Sequence, residues 1–102
     1  MSKIIYNVTI SIDKEIEQEW VQWMKEVHLP EVMETGIFLE KRFTKILSEE
    51  VDGISYSVQY LAPDIAAYEQ YKEKFAPQLQ KKGLERFPGK FAAFRTLLAL
   101  ID

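Results

Sequence analysis

The sequence predicts one α+β domain in which two strand–helix–strand halves share an antiparallel sheet, with the helices on one face. Three observations carry this reading. A period-two segment over residues 4–12 gives way at Asp13 to apolar residues at helical spacing. Asp52-Gly53 is a hairpin signal between two β-rich runs, and a second helical stripe leads into an apolar last strand. A chain of 102 residues builds a single core, so residues 1–102 are read as one domain.

In the first segment Ile4, Tyr6, Val8, Ile10 and Ile12 alternate with Ile5, Asn7, Thr9 and Ser11, as in a strand with one buried face. Asp13 then offers an N-cap oxygen, and Glu15 and Glu17 sit where the helix macrodipole favours anions. Ile16, Trp20, Trp23, Met24 and Val27 form the apolar stripe of that helix. Pro30 lacks an N–H and disfavours helical backbone at Leu29, so it interrupts the pattern and opens a short second helix that ends at Gly36.

Residues 37–47 are rich in β-formers but carry Glu40, Lys41, Arg42 and Lys45, the charge expected on an edge strand. After the hairpin, Ile54, Tyr56, Val58 and Tyr60 alternate with Ser55, Ser57 and Gln59, giving a third strand antiparallel to the second. Following Pro63 and Asp64, a second helical stripe runs through Ile65, Tyr68, Tyr71, Phe75 and Leu79. It is expected to break at Pro77 and stop near Gly83, with Lys81 and Lys82 at the end that favours cations. A short segment at 84–87 and a Pro88-Gly89 turn lead to the last strand, 91–101, apolar on both faces. The order βαββαβ, with Pro30 and Pro77 each followed six positions later by Gly36 and Gly83, reads as an internal pseudo-repeat of the split βαβ, ferredoxin-like arrangement.

Composition narrows the function. With 47% hydrophobic and 28% charged residues the chain is in the globular range. Thirteen basic against sixteen acidic residues give a net charge of −3, which disfavours a phosphate backbone or an anionic membrane as partner. The absence of cysteine removes disulfides, thiolate metal sites and a cysteine nucleophile and fits a reducing compartment. No apolar run approaches the ~20 residues of a membrane span, so a cytoplasmic protein with no membrane partner is expected. Asn7-Val8-Thr9 matches the N-glycosylation pattern, but inside a strand and without a secretory signal it reads as coincidence.

One sheet face is left bare by this layout. Its row on strands one and three, Asn7, Thr9, Ser11, Ser55, Ser57 and Gln59, is small and uncharged, and the last strand is apolar on both sides. A second copy of the chain packed over that face accounts for both facts and predicts a homodimer.

Tyr6-Asn7-Val8-Thr9, Trp20-x-x-Trp23-Met24, His28-Leu29-Pro30-Glu31-Val32, Tyr56-Ser57-Val58-Gln59-Tyr60 and Phe94-Arg95-Thr96 together resemble a family of bacterial proteins of about this length and unknown function. The likeness spans nearly the whole chain. That family is similar to the dimeric α+β barrels, a superfamily that includes cofactor-free monooxygenases, isomerases, dye-decolourising peroxidases and chlorite dismutases. The resemblance implies a sheet-to-sheet dimeric barrel; it transfers no chemistry, because fold and function are separable.

The candidate ligand-binding residues are His28, Asn7, Gln59 and Arg95. His28 is the only histidine and lies beside the apolar stripe. It reads either as a side chain satisfying free carbonyls at a helix C-terminus or as a general base, ligand anchor or haem ligand. Arg95 stands in an otherwise apolar strand, where it is either paired with a carboxylate, reaching solvent along its stem, or binding an anion. Asn7 and Gln59 fall in the polar row and are expected to share a cavity with one of them. Tyr6, Tyr56 and Tyr60 are in register with the apolar face, so they read as core rather than as base-stacking platforms, and no nucleic-acid partner is expected. Trp20 and Trp23 likewise read as core, and the Glu49-Glu50 pair as solvated.

A lone histidine without H-x-x-H or H-E-x-x-H spacing supports no metal site within one chain. No cofactor is expected, haem included, and no catalytic residue is assigned. Two functions of different class follow. The favoured one is a non-catalytic dimeric module that binds a small ligand or protein partner; the alternative is a cofactor-free enzyme of monooxygenase or isomerase type using His28 and Arg95.

Overall fold

A computed structural model of the chain describes residues 2–47 and 53–102; Asp52 of the hairpin signal and the Glu49-Glu50 pair lie outside the described residues. Strands β1 (Ile4–Ile12), β2 (Glu40–Lys45), β3 (Ile54–Ala62) and β4 (Phe91–Ala99) form one sheet of order β2-β3-β1-β4. Every neighbouring pair is antiparallel. Helices α1 (Glu17–Trp23), α2 (Leu29–Glu34), α3 (Ile65–Lys74) and α4 (Ala76–Arg86) supply the second layer. This is the ferredoxin-like βαββαβ architecture; the sheet is open, with β2 and β4 at its edges.

The period-two pattern decides which face is covered. Tyr6, Val8, Ile10 and Ile12 of β1 and Tyr56, Val58, Tyr60 and Ala62 of β3 are all buried. Trp20 and Met24 from the first crossover, Leu29 and Val32 from α2, and Tyr68, Tyr71, Ala76 and Leu79 from α3 and α4 close over them. The tyrosines of β1 and β3 are therefore core residues. Tyr6 sits within 5.1–6.1 Å of the rings of Phe38, Tyr60, Tyr68 and Tyr71, in the range of favourable aromatic pairs.

Three local expectations are revised. Asp13 does not cap the first helix: its side chain makes no cap hydrogen bond, a short 3₁₀ turn at Lys14–Ile16 precedes α1, and the Asp13 carboxylate lies 3.7 Å from Lys90 Nζ. Asp64 is the residue that caps a helix, its Oδ1 accepting from Ala67 N at 2.8 Å. Second, Gly83 does not stop a helix. Residues 84–86 are the last turn of α4, and Gly83 is buried inside it, facing Phe91 and Trp23. Only Gly36 plays the expected terminal role, with φ +76° just beyond α2. The two proline-to-glycine spans thus look alike in sequence but end differently.

Third, β4 is apolar but hardly buried in the single chain. Phe94 is 68% exposed, and Leu97 and Leu98 are 45% and 40% exposed. The helices cover the centre of the sheet and leave the β4 side thinly packed.

Candidate functional site

On that thinly packed side, between β1 and β4 below and the helices above, lies a cavity of about 230 Å³. Two small residues open it: Gly83 on α4 and Ala93 on β4 both line it without filling it. A methyl group added at Gly83 would meet Phe91 and Trp23 at 3.7 Å, ordinary contact distance, so the glycine leaves usable space rather than relieving a clash. The remaining walls are largely aromatic, including Tyr6, Trp20, Trp23, Tyr60 and Tyr71.

His28 lines this cavity by way of an unusual stretch of helix. Met24–His28 form a wider π turn, in which Leu29 N–H donates to Met24 O, and the chain continues helically through α2. Pro30 explains the widening: it has no N–H for the Glu26 carbonyl and its ring crowds that carbonyl, so the preceding turn opens. His28 is consequently mid-helix, with helical backbone on both sides, and has no free helix end to satisfy. Its ring stacks on Trp23 at 5.1 Å with an interplanar angle of 23°. Burial pulls its pKa down to about 4; Glu31 opposes that shift, while Arg95 and Lys82 reinforce it. The imidazole is neutral at pH 7 and, among the described residues, makes no hydrogen bond to the protein, leaving its proton-accepting nitrogen free for another molecule.

Register decides the place of Arg95. It pairs with Val8, so its side chain leaves the sheet on the helix-covered face, and its Nε donates to Tyr6 Oη at 3.2 Å. Arg95 and His28 line the same cavity. Asn7 and Gln59 do not join them. They are direct partners across β1 and β3, on the opposite face of the sheet. There Asn7 Oδ1 accepts from Ser57 Oγ at 2.7 Å, Asn7 Nδ2 donates to Thr9 Oγ1 at 3.3 Å, and Ser11 and Ser55 share a hydrogen bond of 2.9 Å. Asn7, Thr9, Ser11, Ser55 and Ser57 of the small polar row are thus hydrogen-bonded to one another in two groups. Gln59 borders a separate depression near Leu100.

The residues missed from sequence are Trp23, Tyr68, Tyr71 and Gln80. Trp23 is half-buried rather than core and forms cavity wall beside His28. Tyr68 and Tyr71 belong to an apolar helical stripe, and nothing in a stripe distinguishes a residue whose hydroxyl meets a cavity from one sealed in the core. Burial raises the pKa of both tyrosines, so they stay protonated donors at neutral pH. Elsewhere, Tyr56 donates to Glu17 Oε2 at 2.6 Å and Lys45 Nζ lies 2.9 Å from the same oxygen. Burial, with this bond to Glu17, pushes Tyr56 up to about 12. That group pins α1 to the sheet; none of its three residues lines the cavity, though Tyr56 packs behind the Trp20 wall at 5.0 Å. Among the described residues no three His, Asp or Glu side chains are grouped to hold a metal ion, and no helix is long and apolar enough to cross a membrane.

Comparison with solved structures agrees on the fold. A dimeric ferredoxin-like protein from an uncultured marine organism superposes with a TM-score of 0.72 at 12% identity, covering 97% of this chain and 95% of that one. The hydroxynitrile lyase from Passiflora edulis gives 0.69 at 10% identity over 100% and 97% of the two chains. A cofactor-independent oxygenase from Streptomyces nogalater gives 0.66 at 10% identity over 100% and 96%. At such identities the likeness is one of architecture. No curated protein matches the sequence. Residues 3–101 match the family model described as a domain of unknown function, DUF4286, and the chain belongs to that family.

Proposed function

We propose that the protein is a homodimeric module that binds a small, largely apolar molecule in the cavity between the helices and β4. The carrying observation is a chamber of about 230 Å³, walled by aromatic rings and bordered by one neutral imidazole and one guanidinium. Ligand sites have this character: mostly apolar walls with a few convergent polar groups. Indole is a suitable neutral probe. Titrated into ¹⁵N-labelled protein, it is expected to shift the Trp23 indole N–H and the Gly83 and Ala93 amides. Ala93→Phe, which fills the chamber from the thinly packed strand, should abolish those shifts. Shifts confined to the outer sheet face, or none, would refute the reading.

The homodimer rests on separate support. Apart from Gln59, the outer polar row is hydrogen-bonded within itself, so covering it strands few donors, and the adjoining β4 exposes Phe94 and Leu98 on the same face. Ferredoxin-like proteins of matching architecture are described as dimeric. Sedimentation equilibrium at micromolar concentration is expected to give twice the 12.0 kDa chain mass. Leu98→Glu should return the monomer with its circular dichroism intact, since Leu98 is not part of the chain's own core. A monomeric wild type would remove the dimer from the proposal. The cysteine-free composition fits a cytoplasmic setting.

A second reading has one observation in its favour. A neutral, unpartnered imidazole beside a guanidinium can accept a proton from a bound carbon or oxygen acid, which is the requirement for a cofactor-free enzyme. Turnover lost in His28→Gln with ligand binding retained would select the enzyme over the binding module.

A further inference from the structure

The chamber behind His28 is not isolated. A second cavity of about 310 Å³, bordered by Tyr68, Lys72 and Pro77, shares Tyr6, Tyr71, Gln80 and Arg95 with the first. The two therefore adjoin across a partition of polar tips, with Arg95 in it. Their chemistry differs. The inner chamber is aromatic and holds no acidic side chain, whereas the outer one carries Lys72 and three tyrosines as well as Arg95. Among the described residues, neither Arg95 nor Lys72 has a carboxylate within ion-pair distance. The Tyr6 contact engages Nε of Arg95 and orients the guanidinium, leaving its two terminal nitrogens without a partner among the described residues. The hydroxyls of Tyr68 and Tyr71 likewise make no hydrogen bond to described residues.

Such a group of oriented, unpaired donors at the polar end of an apolar chamber is matched to one kind of molecule. We propose that the two cavities form a single site for a small organic acid, whose carboxylate is held by Arg95 with the Tyr68 and Tyr71 hydroxyls, and whose aromatic body lies against Trp23 and His28. This rests on the cavity-binding reading above and adds the charge of the ligand. Arg95 is exposed in the single chain, but a guanidinium takes a carboxylate through two parallel hydrogen bonds, and such charge-assisted bonds discriminate against an uncharged isostere.

The test compares 3-phenylpropionate with 3-phenylpropionamide, an uncharged analogue of nearly equal shape, by calorimetry and by the same NMR titration. Wild type is expected to bind the acid at least about tenfold more tightly than the amide, with shifts at both Trp23 and the Arg95 side chain. Arg95→Met should erase that preference by weakening the acid far more than the amide, and Arg95→Lys should keep part of it. Lys72→Met should weaken the acid less than Arg95→Met does. Equal affinity for acid and amide in wild type, or an acid preference untouched by Arg95→Met, would overturn the assignment of the carboxylate while leaving the cavity reading in place. Failure of both compounds with indole still binding would overturn the ligand class alone. Failure of all three would bring down the cavity reading with it.

Discussion

Trp20→Ala is expected to lower the unfolding free energy by about 3–5 kcal/mol, the usual range for removing a buried tryptophan. Trp20 is 2% exposed and projects from α1 onto the helix-covered face of the sheet. Its ring lies 5.0 Å from that of Tyr56 on β3 and 5.8 Å, edge-on, from that of Phe43 on β2. The neighbours cannot collapse into the space it leaves. Tyr56 is held from above by its hydrogen bond to Glu17, and β2 is fixed by its ladder to β3. A small domain has only about 5–15 kcal/mol to lose, so the variant should unfold at far lower urea or be largely unfolded at 37 °C. Val27→Ala, at a position that belongs to the same stripe in sequence but is 38% exposed in the fold, is the control and should change little. A Trp20→Ala loss below about 1 kcal/mol would mean that α1 does not pack on the sheet as described.

The second large effect is a pH dependence traced to His28. In the unfolded chain an imidazole titrates near 6.5; in the folded protein burial holds it at about 4. Between those values the unfolded state binds a proton that the folded state refuses. Stability from this group is therefore fully present above pH 6.5, falls as the pH drops toward 4, and is constant below. The full loss is about 3 kcal/mol from the separation of the two pKa values. Urea midpoints measured from pH 8 to pH 4 for wild type and His28→Gln separate this contribution from that of the carboxylates, which titrate in both proteins. The wild-type curve should fall away from the variant's below pH 6.5, whereas parallel curves would show that the imidazole is not buried in its neutral form. Acid binding in the cavity should move with it, since protonating His28 places a second cation beside Arg95.

Much of the candidate site was half-legible. His28 and Arg95 stand out in sequence because each is an ionisable residue among apolar ones, and both line the cavity. Asn7 and Gln59 stand out for a related reason, and their shared row is real, since they are direct partners across β1 and β3. That row faces away from the cavity. Alternation tells which residues of one strand share a face, but strand β4 is apolar on both sides, so it contains no mark of which side Arg95 takes.

What the sequence determined by itself is the order of elements, the register of Tyr6, Tyr56 and Tyr60 with the buried face, the charged β2 edge and the helix stop at Gly36. Each follows from local periodicity or from the backbone limits of glycine and proline, which act within a few residues. The tertiary structure decided three further things. Pairing of Val8 with Arg95 turned the guanidinium toward the helices. The π turn ahead of Pro30 set His28 mid-helix and against Trp23. Gly83 and Ala93, distant in the chain and unremarkable in it, met across the layers and left a chamber between them. These outcomes depend on how separate segments pack, and a cavity is a property of what two surfaces fail to fill, which no single stretch of sequence encodes.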